Sequence, residues 1–255
     1  MSRLKKFMQI LTAITAGAGL STLIFFGAQK TMIQLPTTKE IQEATNISAQ
    51  LPVEERTTLR RSRESTVRVL SVGTKGGVAT TTGTYFKMNG NYYVLTVMHG
   101  LVGSCAVTRI WTEEEGFTPC NEVVVGNTAI DYAIIAVDEI PSRTPVNMLR
   151  VLPNGTQWKE ALSTQTKLFY TGFPNSTGPL TFEGRVVGYA DGDYIYMNSF
   201  AWGGASGSGV FTAKGQFVGY VLAIDIGQTD YGVDVLENIV IVVPAFKIDW
   251  ATILQ

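Results

Sequence analysis

The chain has 255 residues, 45% of them hydrophobic and 16% charged, which supplies material for a packed core and excludes a disordered chain. Its 20 basic and 21 acidic residues nearly cancel, so the charge balance points neither to nucleic acid as a partner nor to a solvating tail. A single histidine excludes metal sites built from several imidazoles and routes any imidazole chemistry through His99.

In chain order, the first element is apolar. Phe7 to Gln29 carries no charge and lies between Arg3, Lys5 and Lys6 on one side and Lys30 on the other. About twenty such residues, rising ~1.5 Å each, cross the hydrocarbon layer of a membrane. A cleaved signal peptide ends in small residues, whereas the bulky Ile24, Phe25 and Phe26 precede Gly27 and Ala28. The expectation is an uncleaved transmembrane anchor over 1–30, its N-terminus cytoplasmic under the positive-inside rule and the rest of the chain on the periplasmic or extracellular side; secretion after cleavage is the alternative. Residues 31–63 read as a polar linker. Within it Thr37–Ala49 has the spacing of a short helix, and Glu54–Glu64, dense in charge, reads as a solvated spacer.

From residue 64 to 255 the pattern becomes short β-type runs punctuated by turns. They are Thr66–Val72, Thr82–Met88, Tyr92–Val97, Ala106–Trp111, Glu122–Val125, Asp131–Val137, Lys167–Thr171, Phe182–Gly188, Tyr194–Asn198, Gly209–Thr212, Gln216–Ile224 and Ile239–Val243. Asn89-Gly90 is a strong hairpin signal, because both residues tolerate positive φ. Ala245–Leu254 after Pro244 reads as a terminal helix. The expected fold is all-β: two packed six-stranded antiparallel barrels, over about 64–145 and 155–243, with a C-terminal helix. Cys105 and Cys120 face each other if their hairpin turns about Thr112 and Glu113; a cross-strand disulfide and two separate buried thiols both fit.

Three local patterns carry chemistry. Gly203-Gly204-Ala205-Ser206-Gly207-Ser208-Gly209 can present a serine on a tight turn, with the N–H groups of Gly204 and Ser206 aimed at one point as an oxyanion hole requires. His99 follows the run Tyr92–Val97, where a strand end can hold an imidazole rigidly. Asp131 heads the apolar run Tyr132–Val137, where a carboxylate is costly to bury unless paired, and the His99 ring is a fitting partner.

The order His, Asp, Ser, with separations of 32 and 75 residues, resembles the chymotrypsin-like serine proteases. Thr96-Val97-Met98-His99, Asp131-Tyr132-Ala133-Ile134-Ile135 and Gly204-Ala205-Ser206-Gly207-Ser208 are similar to that family's Thr-Ala-Ala-His, Asp-Ile-Ala-Leu-Leu and Gly-Asp-Ser-Gly-Gly segments. The tight spacing is closest to compact bacterial HtrA and glutamyl-endopeptidase members and to viral ones. The resemblance implies a serine endopeptidase with His99, Asp131 and Ser206 as its triad, protein or peptide substrates and no cofactor. Ala205 stands where trypsin-type zymogens carry an aspartate, so activation by a newly cut N-terminus is not expected. The resemblance places the substrate pocket at Phe200, Leu222, Ala223 and Ile224, which argues against Lys or Arg before the scissile bond. A viral polyprotein-processing protease and a catalytically silent protease fold used for binding are the competing readings.

Overall fold

The computed structural model describes residues 51–147, 158–229 and 232–254, with side chains described in all of these but 147, 223–237 and 254. The expected anchor over 1–30, the Thr37–Ala49 helix and Pro153 lie outside the described residues. Among the described residues no helix is long and apolar enough to cross a membrane.

Fourteen strands and three short α-helices are described. The first sheet holds β1 (Thr66–Val72), β2 (Val78–Met88), β3 (Asn91–Thr96), β4 (Thr108–Thr112), β5 (Gly116–Pro119), β6 (Glu122–Asn127), β7 (Tyr132–Val137) and β8 (Val146–Asn147). Its order is β5-β4-β1-β2-β3-β7-β6, with β8 pairing parallel to β2. The second sheet is a closed barrel, β10-β11-β14-β13-β12-β9, built from β9 (Lys167–Gly172), β10 (Leu180–Ala190), β11 (Tyr194–Asn198), β12 (Gly209–Thr212), β13 (Phe217–Thr229) and β14 (Gly232–Pro244).

The expected pair of six-stranded barrels is therefore corrected to one closed barrel and one eight-stranded sheet that does not close by strand pairing. Its edge strands β5 and β6 are consecutive in the chain. Only Cys120 and Asn121 separate the half that pairs with β4 from the half that pairs with β7. Each sheet packs its own core, around Val67, Tyr85, Val94 and Ile135 in the first and Leu168, Tyr170, Val186 and Val240 in the second. A third cluster joins the two sheets, with Phe86, Leu95 and Ile134 meeting Phe211, Phe217 and Val243. Each such large side chain contributes on the order of 2–3 kcal/mol on burial. This joint holds the strand ends that carry chemistry in one place.

Three details differ from expectation. Glu54–Glu64, read as a spacer, falls in a 12-residue helix, Val53–Glu64 (α1), packed against the closed barrel. Its inward face is polar. Thr58 Oγ1 donates to the Ala213 carbonyl at 3.0 Å, and the Ser62 and Thr171 hydroxyls meet at 2.8 Å. Glu54 and Glu55 in the first turn and Arg61 and Arg63 in the last suit the helix dipole. The terminal helix is broken into a 3-10 turn, Ala245–Lys247, and a short helix α3 (Ala251–Leu254); the remaining helix, α2, is Trp158–Ala161. Asp249 causes the break, because its carboxylate accepts from Ala251 N–H at 3.1 Å and Thr252 Oγ1 at 2.8 Å and so starts a new helix. Cys105 and Cys120 are disulfide-bonded with Cα atoms 5.3 Å apart, though not as a ladder pair. The β4–β5 hairpin turns about Glu114, with Trp111 opposite Phe117, and a 3-10 turn at Cys105–Val107 folds the first cysteine back towards the second.

Candidate active site

His99 sits in a 3-10 turn, Met98–Gly100, directly after β3 and Val97. Asp131 is the residue before β7, which pairs with β3. Asn127 starts the approach: its Oδ1 accepts from the N–H groups of Ala129 at 2.9 Å and Ile130 at 3.2 Å, closing an Asx turn. Asp131 then takes a left-handed backbone, φ 59°, a conformation aspartate accepts more readily than most residues. From there its carboxylate grips His99 twice. Oδ1 accepts from the His99 backbone N–H at 2.8 Å, and Oδ2 lies 2.5 Å from His99 Nδ1. An ionised carboxylate only accepts, so Nδ1 carries the proton, and in the neutral ring Nε2 presents its lone pair. The histidine side chain is 51% exposed and the aspartate side chain 23%, so the ring can meet a substrate while its partner is shielded.

Tyr220 on β13 supports this pair from the closed barrel. Its hydroxyl donates to the Ile130 carbonyl at 2.5 Å. Burial pushes the phenol well above its ordinary value, and the neighbouring Asp131 charge adds to that, so the donor keeps its proton.

Ser206 lies in the turn between β11 and β12. Ala205 N–H donates to the Trp202 carbonyl at 2.9 Å, and Ser208 Oγ to the Ala205 carbonyl at 2.6 Å. Gly207 takes φ 89°, and a Cβ there would collide with the Thr82 carbonyl oxygen, so only glycine fits. Gly204 takes φ 99°, where a Cβ would stand 2.5 Å from the Phe173 carbonyl oxygen. Among the described residues none accepts a hydrogen bond from the N–H of Gly204 or Ser206. Both donors are therefore available to a ligand.

Thr82 on β2 joins the two halves of the site, a residue that sequence reasoning missed. Its N–H donates to the Ser206 carbonyl at 2.9 Å and its Oγ1 to the Gly204 carbonyl at 2.7 Å. Its own carbonyl accepts from Thr96 Oγ1 at 2.8 Å, three residues before His99. The signal was the threonine run 80–82, legible only as β-branched strand material.

The structure thus brings His99 and Asp131 into direct contact and ties the Ser206 turn to the same sheet. Among the described residues no hydrogen bond joins the Ser206 hydroxyl to His99 Nε2. Of the four expected pocket residues, the side chains of Phe200 and Leu222 are described. Phe200 is 45% exposed, stacked on Trp202 and tilted against Phe182. Leu222 is half-buried and packs against the cluster between the sheets. The side chains of Ala223 and Ile224 lie outside the described residues.

In sequence, residues 81–219 match the family described as the trypsin-like peptidase domain. No curated protein matches the chain in sequence. Among solved structures the fold is similar to the active form of the Rv3671c protease from M. tuberculosis, with TM-score 0.60 and 18% identity, covering 77% of this chain and 83% of that one. It is also similar to the serine endoprotease from Yersinia pestis, with TM-score 0.59 and 16% identity over 80% and 68%. The HtrA-type protease AlgW, solved with a tripeptide, gives TM-score 0.59 and 16% identity over 79% of this chain and 64% of its own. At these identities the structural likeness speaks to the fold.

Proposed function

The chain belongs to the trypsin-like peptidase family and is a serine endopeptidase; from that premise we propose that it cuts peptide bonds through an acyl-enzyme on Ser206, with His99 as base and Asp131 as the carboxylate that orients it. The observation that carries this reading is the double grip of Asp131 on His99, at 2.8 Å and 2.5 Å, on the same sheet that holds the Ser206 turn. With Nδ1–H committed to the carboxylate, Nε2 takes the Ser206 proton as Oγ attacks the scissile carbonyl. Negative charge then gathers on the carbonyl oxygen, where the free N–H groups of Gly204 and Ser206 stabilise it; such donors contribute on the order of 3 kcal/mol each. As the tetrahedral species collapses, Nε2 returns the proton to the leaving amine. Water, deprotonated by the same nitrogen, hydrolyses the ester. This chemistry needs no cofactor, and its substrates are proteins or peptides. The test is release of new amino termini from an unfolded protein by the purified chain. A folded preparation that releases none contradicts the reading.

We place the enzyme on a membrane through Phe7–Gln29, supported by a charge-free run bounded by Lys6 and Lys30. The peptidase domain then lies on the periplasmic or extracellular side, a compartment that also suits the Cys105–Cys120 disulfide. The full chain is expected to stay with membranes through alkaline carbonate extraction and to be released when 1–30 are deleted. Extraction of the intact chain would remove the anchor.

A further inference from the structure

The oxyanion donor Gly204 has no built-in support of the zymogen kind. Ala205 has no charge and is 1% exposed, so it offers no partner to an amino terminus. Something else must hold the Gly203–Gly204 peptide in one orientation. In a trans peptide the C=O and N–H point in opposite directions, so whatever holds the Gly203 carbonyl also aims the Gly204 N–H. That carbonyl accepts from Asn175 N–H at 2.6 Å. Asn175 belongs to the segment Phe173–Thr177, in which Asn175 and Ser176 both have positive φ, 51° and 57°. Residues 175–178 are exposed, so packing alone does not fix them.

Arg68 does. It lies on β1 in one lateral row with Trp111 on β4 and Thr82 on β2. Its guanidinium lies 4.7 Å from the ring centroids of both Trp111 and Phe173, in the corner that these two rings form edge to face at 75°. Its Nη2 donates to the carbonyls of Ser176 at 3.0 Å and Thr177 at 2.7 Å. Phe173 N–H meanwhile donates to Thr82 Oγ1 at 3.0 Å, the hydroxyl that also holds the Gly204 carbonyl. Arg68 Nε is buried with no partner among the described residues. A buried donor left unpaired weakens the fold, so stability alone is a poor reason for an arginine here.

We propose that Arg68 is a positioning residue for the oxyanion hole: set in the corner of Trp111 and Phe173 and bonded to the Ser176 and Thr177 carbonyls, it pins the 173–177 segment, which holds the Gly203 carbonyl and so aims the Gly204 N–H at the site of developing charge. The inference rests on the triad reading of Ser206. Both carbonyls accept from Nη2, one bond beyond the reach of a lysine ammonium, and the planar guanidinium meets the rings as a compact ammonium does not, so lysine is no substitute.

The test is hydrolysis of a peptide amide by the full chain carrying Arg68→Met, which keeps an apolar stem beside the rings and removes the charge and donors. The expected result is a kcat lower by about 10- to 100-fold with KM within about twofold, somewhat less than deleting a donor outright. Affinity for a peptide boronate, whose adduct carries the tetrahedral negative charge, should fall in proportion, and the His99 imidazole should titrate as in the wild type. In Arg68→Ala, added methylguanidinium should restore part of kcat. A wild-type kcat in folded Arg68→Met overturns the proposal, as does a lower kcat with unchanged boronate affinity. If Arg68→Met does not fold, Arg68→Lys decides: kcat still falls, and a wild-type value overturns the proposal. A wild-type chain that cleaves peptides while Arg68→Met cleaves them equally well removes the role of Arg68 alone; a folded wild type that cleaves none removes the triad reading too.

Discussion

Ser206→Ala is expected to lower kcat by about 10⁶-fold, the scale seen when a nucleophile that acts as part of a unit is lost. KM and thermal stability should stay close to wild type. The reason lies in what the residue does with each of its atoms. Its backbone carbonyl accepts from Thr82 N–H at 2.9 Å, and alanine keeps that bond. Its N–H, which has no acceptor among the described residues, also survives. The hydroxyl makes no hydrogen bond among the described residues, so its removal leaves no partner unsatisfied. Substrate thus still binds, and the oxyanion donors still stand, but nothing attacks. Steady-state kinetics on a peptide amide, with the melting temperature as control, checks this. A loss of less than tenfold would mean that the hydroxyl is not the nucleophile.

Asp131→Asn is expected to cost about 10⁴-fold in kcat at neutral pH, again with little change in KM. Asparagine accepts the left-handed backbone at φ 59°, so the turn should survive. The fault is electronic. The carboxylate accepts two hydrogen bonds, one from His99 N–H and one from Nδ1–H. An amide has only one acceptor oxygen. If that oxygen keeps the backbone N–H, the NH₂ group faces Nδ1 and forces the ring into the tautomer with its proton on Nε2. That nitrogen can then no longer take the serine proton. The chain has one histidine, so a single imidazole signal in a nitrogen NMR spectrum reports the tautomer without ambiguity. A variant with Nδ1 still protonated and kcat within tenfold of wild type would break the link between carboxylate and base.

Much of the strand pattern was legible because β-branched runs end at clear turn residues. Thr66–Val72, Tyr194–Asn198 and Gly209–Thr212 have the boundaries read from the sequence. The start of β2 was hidden, since Val78-Ala79-Thr80-Thr81 follows two glycines and lacks apolar alternation. Helix α1 was misread for a different reason. A helix is recognised by an apolar stripe, and this one buries Thr58 and Ser62 through hydrogen bonds to distant residues. The disulfide partners were named, but their geometry depended on a 3-10 turn that no spacing rule anticipates.

The site divides along the same line. His99 and Asp131 lie at the ends of neighbouring strands, and the local motifs around them were enough to pair them. The contacts from Thr82 to Gly204 and Ser206, and from Arg68 to Thr177, join residues more than a hundred positions apart. Such contacts follow from how two sheets dock, and sequence periodicity carries no record of docking. The pocket illustrates the limit. The resemblance placed Phe200 and Leu222 in one pocket, whereas their surroundings, Trp202 at the surface for one and the cluster between the sheets for the half-buried other, follow from that docking.

The central claim is that Ser206 is a nucleophile made reactive by His99. Treatment with a fluorophosphonate followed by peptide mapping in a mass spectrometer tests it most directly. A single adduct on the peptide carrying Ser206 in the wild type, lost in His99→Ala, is the predicted result. An adduct on another residue, or equal labelling of Ser206 without His99, would contradict it.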